Sequence, residues 1–170
     1  PSLSGAKRWA CFYGASLASQ TWSSLDLLVL DPDNYKAPLA TGPVRVAYVS
    51  AGEADERRVS WERIAGKPYL VEPNPDWHGD HRVDVRDPAW RAEVELAVSS
   101  ALAKGFDGVM LDTLDVAEYL ESSAPARYAG SVAAAADLVL GLRAKHPSAV
   151  ILLNNGLALL DRAGSAVDGV

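Results

Sequence analysis

The sequence predicts an α/β fold, a (β/α)8 barrel of the TIM type, with the chain stopping in or after the seventh strand. Two observations carry this expectation. Short β-rich runs punctuated by Gly, Pro and Asp alternate with helical patterns, and no internal repeat or low-complexity stretch interrupts them. Strands alternating with helices imply a parallel sheet joined by right-handed crossovers. Six of the strands also turn polar in one phase near their C-terminal ends, where the lumen of a barrel opens. An open doubly wound sheet is the competing architecture. The absence of GxGxxG and of GxxxxGK[ST] weakens its nucleotide-binding form.

Residues two apart in a strand share a face. In the first expected strand, 8–14, Trp9, Cys11 and Tyr13 oppose Ala10 and Phe12. The second, 25–31, ends at Asp31, in phase with Val29 and Leu27. In the third, 45–52, Tyr48 and Ser50 oppose Ala47 and Val49, and a weak helical pattern follows over 55–64. The fourth, 82–86, sets Asp84 and Arg86 against Val83 and Val85. A helix over 88–104 follows, with Asp87 as cap, Pro88 in its first turn and Gly105 past its end. The fifth strand, 107–112, puts Asp112 in phase with Met110 and Gly108. The helix over 131–146 starts at Ser131, and its last turn carries Arg143 and Lys145, which suits the helix dipole. The sixth strand, 150–154, ends on Asn154, in phase with Leu152. A weak helix over 157–163 leads to the seventh strand, 167–170, in which the chain stops. Residues 1–170 read as one barrel domain, C-terminally incomplete.

With 170 residues, 49% of them hydrophobic, the chain can bury one substantial core. A net charge of −6 argues against a nucleic-acid or anionic-membrane surface, which needs clustered Lys and Arg. No run reaches the roughly 18 apolar residues of a membrane helix. The chain starts at Pro1 without a Met or a signal-peptide core and therefore reads as processed or excerpted. Its one cysteine, Cys11, makes neither an internal disulfide nor a zinc site, and reads as a small buried core residue. His78 and His81 form a poor metal signature without a third ligand at fixed spacing. A hard cation held by Asp31, Asp84 and Asp112 is the other metal arrangement to weigh. No metal and no cofactor are expected.

The segments Val46-Ala47-Tyr48-Val49-Ser50-Ala51-Gly52-Glu53 and Gly105-Phe106-Asp107-Gly108-Val109-Met110-Leu111-Asp112-Thr113-Leu114-Asp115 match the blocks "YxSxGE" and "GFDGxxLDtxD". Trp77 and then Val83-Asp84-Val85-Arg86-Asp87-Pro88-Ala89-Trp90 follow in order, and Asn154-Asn155-Gly156 comes later. Together these resemble the endo-α-1,4-polygalactosaminidase family, glycoside hydrolase family 114, and most of all its branch with the Pel exopolysaccharide hydrolase domain. The resemblance runs from about Trp9 to the last residue. It implies a glycosidase cleaving within an amino-sugar polysaccharide of α-1,4-galactosamine or N-acetylgalactosamine type, secreted or periplasmic, with a polysaccharide or oligosaccharide as its partner. The alternative is a non-catalytic glycan-binding or scaffold domain of a polysaccharide export system. The family pattern places one catalytic glutamate a few residues beyond the equivalent of Val170.

Glycoside hydrolysis commonly uses two carboxyl groups. Asp112, where the family motif has a functional Asp, is the first candidate for one of them; a loop-ordering or capping Asp is the plain alternative. Asp115, three residues on, is placed to bind substrate or hold Asp112. Asp31 and Asp84 are inward-phased at strand ends; the alternatives are a turn-forming Asp before Pro32 and an ion pair with Arg86. Glu53, with Arg57 and Arg58 close behind, reads as a sugar ligand, a proton donor, or an Arg-paired structural residue. Tyr13, Tyr48, Trp77 and Asn154 fit a sugar subsite, in which rings stack on pyranose faces while hydroxyl and amide groups bond sugar hydroxyls.

Overall fold

A computed structural model describes residues 3, 5–16, 24–39 and 42–170. In chain order the elements are β1 (Trp9–Phe12), β2 (Leu27–Leu30), β3 (Val44–Ser50), β4 (Glu53–Asp55), α1 (Trp61–Ile64), β5 (Leu70–Pro73) and β6 (Asp80–Val83). They continue with α2 (Pro88–Ala103), β7 (Gly108–Asp112), α3 (Asp115–Ser123), α4 (Pro125–Tyr128), α5 (Ser131–Lys145), β8 (Val150–Leu153) and α6 (Leu160–Ala163). Among the described residues, β1, β2, β3, β7 and β8 form a five-stranded parallel sheet in that spatial order.

The two phases of these strands feed two separate cores, as a barrel wall requires. Leu28, Leu30, Ala47, Val49, Val109, Leu111, Ile151 and Leu153 pack in the large cluster that also holds the helix residues. Val29, Val46, Met110, Val150 and Leu152 form a second cluster on the lumen side. The architecture is a TIM-type barrel, seen here as an open arc of its wall. Close approach of β7 to β8 depends on Gly108, where a Cβ would fall 2.0 Å from the Val150 carbonyl oxygen.

The expected fourth strand is not part of that wall. β6 runs antiparallel to both β4 and β5 in a three-stranded sheet of its own. β3 instead pairs directly with β7, from Val46 opposite Gly108 to Ser50 opposite Asp112. A period of two is the same for a barrel strand and for a hairpin strand, so the alternation of 82–86 carried no information about its partner. The pattern over 55–64 yields only α1: Asp55 ends β4, and the residues between it and Trp61 form turns and a bend. Helix 157–163 divides into a 3-10 turn (Leu157–Leu159) and α6. The last expected strand makes one parallel bridge, Gly169 to Leu152, with Asp168 N–H donating to Ile151 O at 2.8 Å.

Helix α2 starts where its cap directs. Asp87 accepts the Ala89 N–H at 2.8 Å and Pro88 occupies the first turn of α2. That helix buries Trp90, Val94, Val98 and Ala101, and the Trp90 indole donates to Ala51 O at 2.8 Å, beside the site end of β3. Arg143, in the last turn of α5, donates to the carbonyls of Ala149 (2.7 Å) and Ala166 (3.0 Å) and to Asp168 (2.6 Å). Cys11 is exposed rather than buried. Among the described residues β1 pairs on one side only, and its Trp9–Cys11–Tyr13 face looks into the open lumen.

Candidate active site

A cleft of about 860 Å³ lies over the C-terminal ends of β3, β7 and β8. Asp112, the last residue of β7, stands in it as the focus of four donors. Its Oδ2 accepts the Tyr48 hydroxyl at 2.9 Å. Its Oδ1 accepts the Thr113 N–H (2.8 Å), Asn154 Nδ2 (2.9 Å) and Asn155 Nδ2 (3.1 Å). Four donors on two oxygens is how an ionised carboxylate, an acceptor only, is held. The parallel register sets this up, since Tyr48 sits opposite Met110 and Ser50 opposite Asp112.

The ring of Tyr13 meets that of Tyr48 edge-on, centroids 5.5 Å apart. Tyr13 is 47% exposed, yet its partial burial pushes the phenol up to about 12, with Cys11 adding to the effect. Burial first, and the Asp112 charge second, raise Tyr48 further still. Both phenols therefore stay protonated, and Tyr48 remains a donor to Asp112. Thr113 follows in the left-handed region (φ 64°), a strain of about 1–2 kcal/mol for a β-branched residue. Gly52 lies against it, where a Cβ would fall 1.9 Å from the Thr113 carbonyl oxygen.

Of six residues expected to converge from strand ends, five line this cleft: Tyr13, Asp31, Tyr48, Asp112 and Asn154. Asp84 does not. It follows β6, outside the barrel wall, and its carboxylate is clamped by Arg86 at 2.7 and 2.8 Å. The Arg86 bond holds its acid below the usual range. Asp31 is buried at 3% exposure and committed to its own turn. It accepts the N–H groups of Asp33 and Asn34, the Asn34 amide, and Arg58 at 2.6 Å. With Asp31 and Asp84 each bound to an arginine and Asp84 elsewhere, the three-aspartate cation arrangement does not assemble. His81 bonds Glu56 and stacks on Trp61.

Glu53 is buried at 5% exposure on β4 and takes one side-chain bond, from Asn74 Nδ2 at 2.7 Å. Burial raises its pKa, and the charges of Asp80 and Asp115 push the same way, against the Asn74 bond and Arg82. Asp115 opens α3 at the cleft rim, and Trp77 stands 66% exposed at the tip of the β5–β6 hairpin.

Sequence reasoning passed over four contributors. Asn155 shares the capture of Asp112, and its place beside Asn154 in Asn-Asn-Gly was the available signal. Arg58, seen only as a neighbour of Glu53, ties Asp31 to the ring of Tyr48, 5.5 Å from its guanidinium. Tyr119 lies one helical turn beyond Asp115 on α3, a spacing that shares a face, and Arg82 stacks over it at 4.0 Å. Nothing in the sequence marked the backbone of Thr113. In charge, Asp31, Asp33, Glu53, Asp55, Asp76, Asp80, Asp112 and Asp115 line the cleft against Arg57, Arg58 and Arg82. An oriented carboxylate and a buried carboxyl group whose pKa is raised, both lining one cleft, are equipment for acid–base chemistry.

A family model described as glycoside-hydrolase family GH114 matches residues 2–170. An uncharacterised protein of Deinococcus radiodurans is 30% identical over 182 aligned residues, covering 98% of this chain and 59% of that protein. Another, of Thermotoga maritima, is 28% identical over 137 residues, covering 76% of this chain and 42% of that protein. The chain thus spans about half the length of these curated relatives. Among solved structures, the glycoside hydrolase domain of PelA from Pseudomonas aeruginosa matches with TM-score 0.82 at 22% identity, over 96% of this chain and 65% of that one. Ega3 of Aspergillus fumigatus, solved in complex with galactosamine, matches with TM-score 0.77 at 18% identity, over 99% of this chain and 66% of that one. At these identities the two structures speak for the fold.

Proposed function

The chain belongs to glycoside hydrolase family 114, and from that premise we propose that its cleft serves a hydrolase cleaving within an α-1,4-linked galactosamine-type polysaccharide. The observation that carries the reading is the capture of Asp112 by Tyr48, Asn154, Asn155 and the Thr113 N–H. A carboxylate fixed in this way loses no orientation freedom when substrate arrives and is suited to attack the anomeric carbon or to activate water.

The proton for the leaving oxygen needs a second carboxyl group. Glu53 has the environment for it, since burial favours its protonated form; the family pattern offers the glutamate beyond Val170 as the other source. Trp77 and Tyr13 present exposed rings for pyranose faces. The excess of carboxylates along the cleft favours a polymer bearing free ammonium groups, and the galactosamine bound in the Ega3 structure is an amino sugar of that kind. A polymer exported from the cell places the reaction outside the cytoplasm, in a secreted or periplasmic setting that cell fractionation would test.

The decisive assay incubates the full-length protein with partly deacetylated galactosaminogalactan and follows new reducing ends and released oligosaccharides. Turnover that disappears in Asp112→Asn is the expected result. Tight polymer binding with no release in the wild type would instead establish a glycan-binding domain.

A further inference from the structure

We infer that Thr113 is a positioning residue: its N–H orients the Asp112 carboxylate, and its hydroxyl ties the end of β7 to the end of β3, whose chain leads on to Glu53. This rests on the acid–base reading of those residues. The Thr113 N–H donates to Asp112 Oδ1 at 2.8 Å, so its backbone orientation is transmitted directly to the carboxylate. Its Oγ1 accepts the Gly52 N–H at 2.9 Å, lies 2.9 Å from Ser50 Oγ, and lies 2.7 Å from the Asp112 carbonyl oxygen. Ser50 Oγ lies 2.8 Å from the Glu53 carbonyl oxygen.

Two hydroxyl protons serve the three contacts that need one. In one assignment they form a continuous chain: Gly52 N–H to Thr113 Oγ1, Thr113 O–H to Ser50 Oγ, and Ser50 O–H to Glu53 O. In a second, Ser50 donates to Thr113 and Thr113 donates to the Asp112 carbonyl; in a third, Thr113 donates to the Asp112 carbonyl and Ser50 to the Glu53 carbonyl. All three leave Thr113 Oγ1 as the acceptor for Gly52, and that bond is the junction between the ends of β3 and β7. The left-handed backbone at φ 64° brings the hydroxyl to this junction, which is why a strained conformation is retained beside Asp112. Chains of this kind polarise one another and are high-stakes when one member is removed.

Three variants of the full-length protein separate positioning from mere support. Thr113→Val keeps the shape and removes the hydroxyl. Thr113→Gly removes the hydroxyl and also the backbone strain, so it remains informative if the valine variant folds poorly. Thr113→Ser keeps the hydroxyl. On galactosamine polymer, Val and Gly should lower kcat by roughly 10- to 100-fold, the scale of a small misplacement of a reacting group, with KM within about threefold. Ser should stay within about threefold of wild type in both. In hydrogen exchange the Gly52 amide should lose protection in Val and Gly and keep it in Ser. Crystal structures of the variants should show the Asp112 carboxylate displaced in the first two only. Unchanged kcat in Val and Gly, or an Asp112 carboxylate that stays in place, overturns the inference. A wild type that releases no sugar removes the hydrolase reading, whereas the Gly52 amide and the Asp112 carboxylate still decide whether Thr113 is the junction.

Discussion

Asp112 receives three donors on Oδ1 and only the rotatable Tyr48 hydroxyl on Oδ2. An asparagine placed with its oxygen at Oδ1 keeps the three, and its amide faces a hydroxyl able to turn and accept. Asp112→Asn should therefore fold normally and bind polysaccharide within a few-fold of wild type. Its turnover should fall by at least about 100-fold, the low end for a positioned acid–base group. Asp115→Asn should do less, because Asp115 sits exposed at the rim; the reverse pattern in steady-state kinetics would exchange the two assignments. Glu53 gives a pH signature. Its folded pKa is raised, so across the window between the unfolded and folded values the native state holds a proton that the unfolded chain has lost. Stability attributable to Glu53 is therefore greatest below that window and falls as pH rises through it. Thermal melts of wild type and Glu53→Gln over pH 4–8 should show the wild type losing ground relative to the variant. A wild type that gains ground would contradict the buried-acid reading. At this scale the sequence reached the residues whose phase sends them into the cleft, because alternation places Tyr48 and Asp112 on one face. It did not reach Arg58 or the backbone of Thr113, whose partners come from other strands and from a dihedral angle that no residue type announces.

Among the elements, α2 and α5 were legible nearly to the residue, since the capping Asp, Pro and following Gly of α2 and the cationic last turn of α5 act locally. The strands β3, β7 and β8 were legible from aliphatic runs ending in polar residues. β6 was misplaced for a reason that lies in strand physics: Val83 and Val85 are buried in the main core, as they would be in a barrel, while the hydrogen-bond partners of β6 are β4 and β5. Asp84 went astray with it. Asp84→Asn should then leave kcat and KM within about twofold and cost about 1–2 kcal/mol in urea unfolding, as for a partly buried, charge-assisted pair. A large loss of turnover with normal stability would return Asp84 to the site. Cys11 shows the limit of reading burial from apolar context. Its strand is apolar, but the face it occupies is covered only if another element lies across it.

Across the described residues, β1 leaves one strand edge unpaired and Trp9 is 65% exposed on the lumen side. Unpaired edges invite association. A protein of these 170 residues alone should show concentration-dependent self-association by sedimentation and melt below the full-length protein; a stable monomer at high concentration would speak against this. The pairing of β3 with β7 has a consequence in time. Their contact closes a wide loop: Arg45 and Asp107 bond across 62 residues, against 18 for Arg8 and Asp26 at the first strand pair. The longer loop adds about 1 kcal/mol of closure entropy, so the junction carrying Tyr48 and Asp112 should form late in refolding. Pulse-labelled amides of the β5–β6 hairpin should gain protection before those of β7. The cleft would then be the last part of the chain to take shape, and a refolding protein would regain its secondary structure well before its affinity for sugar.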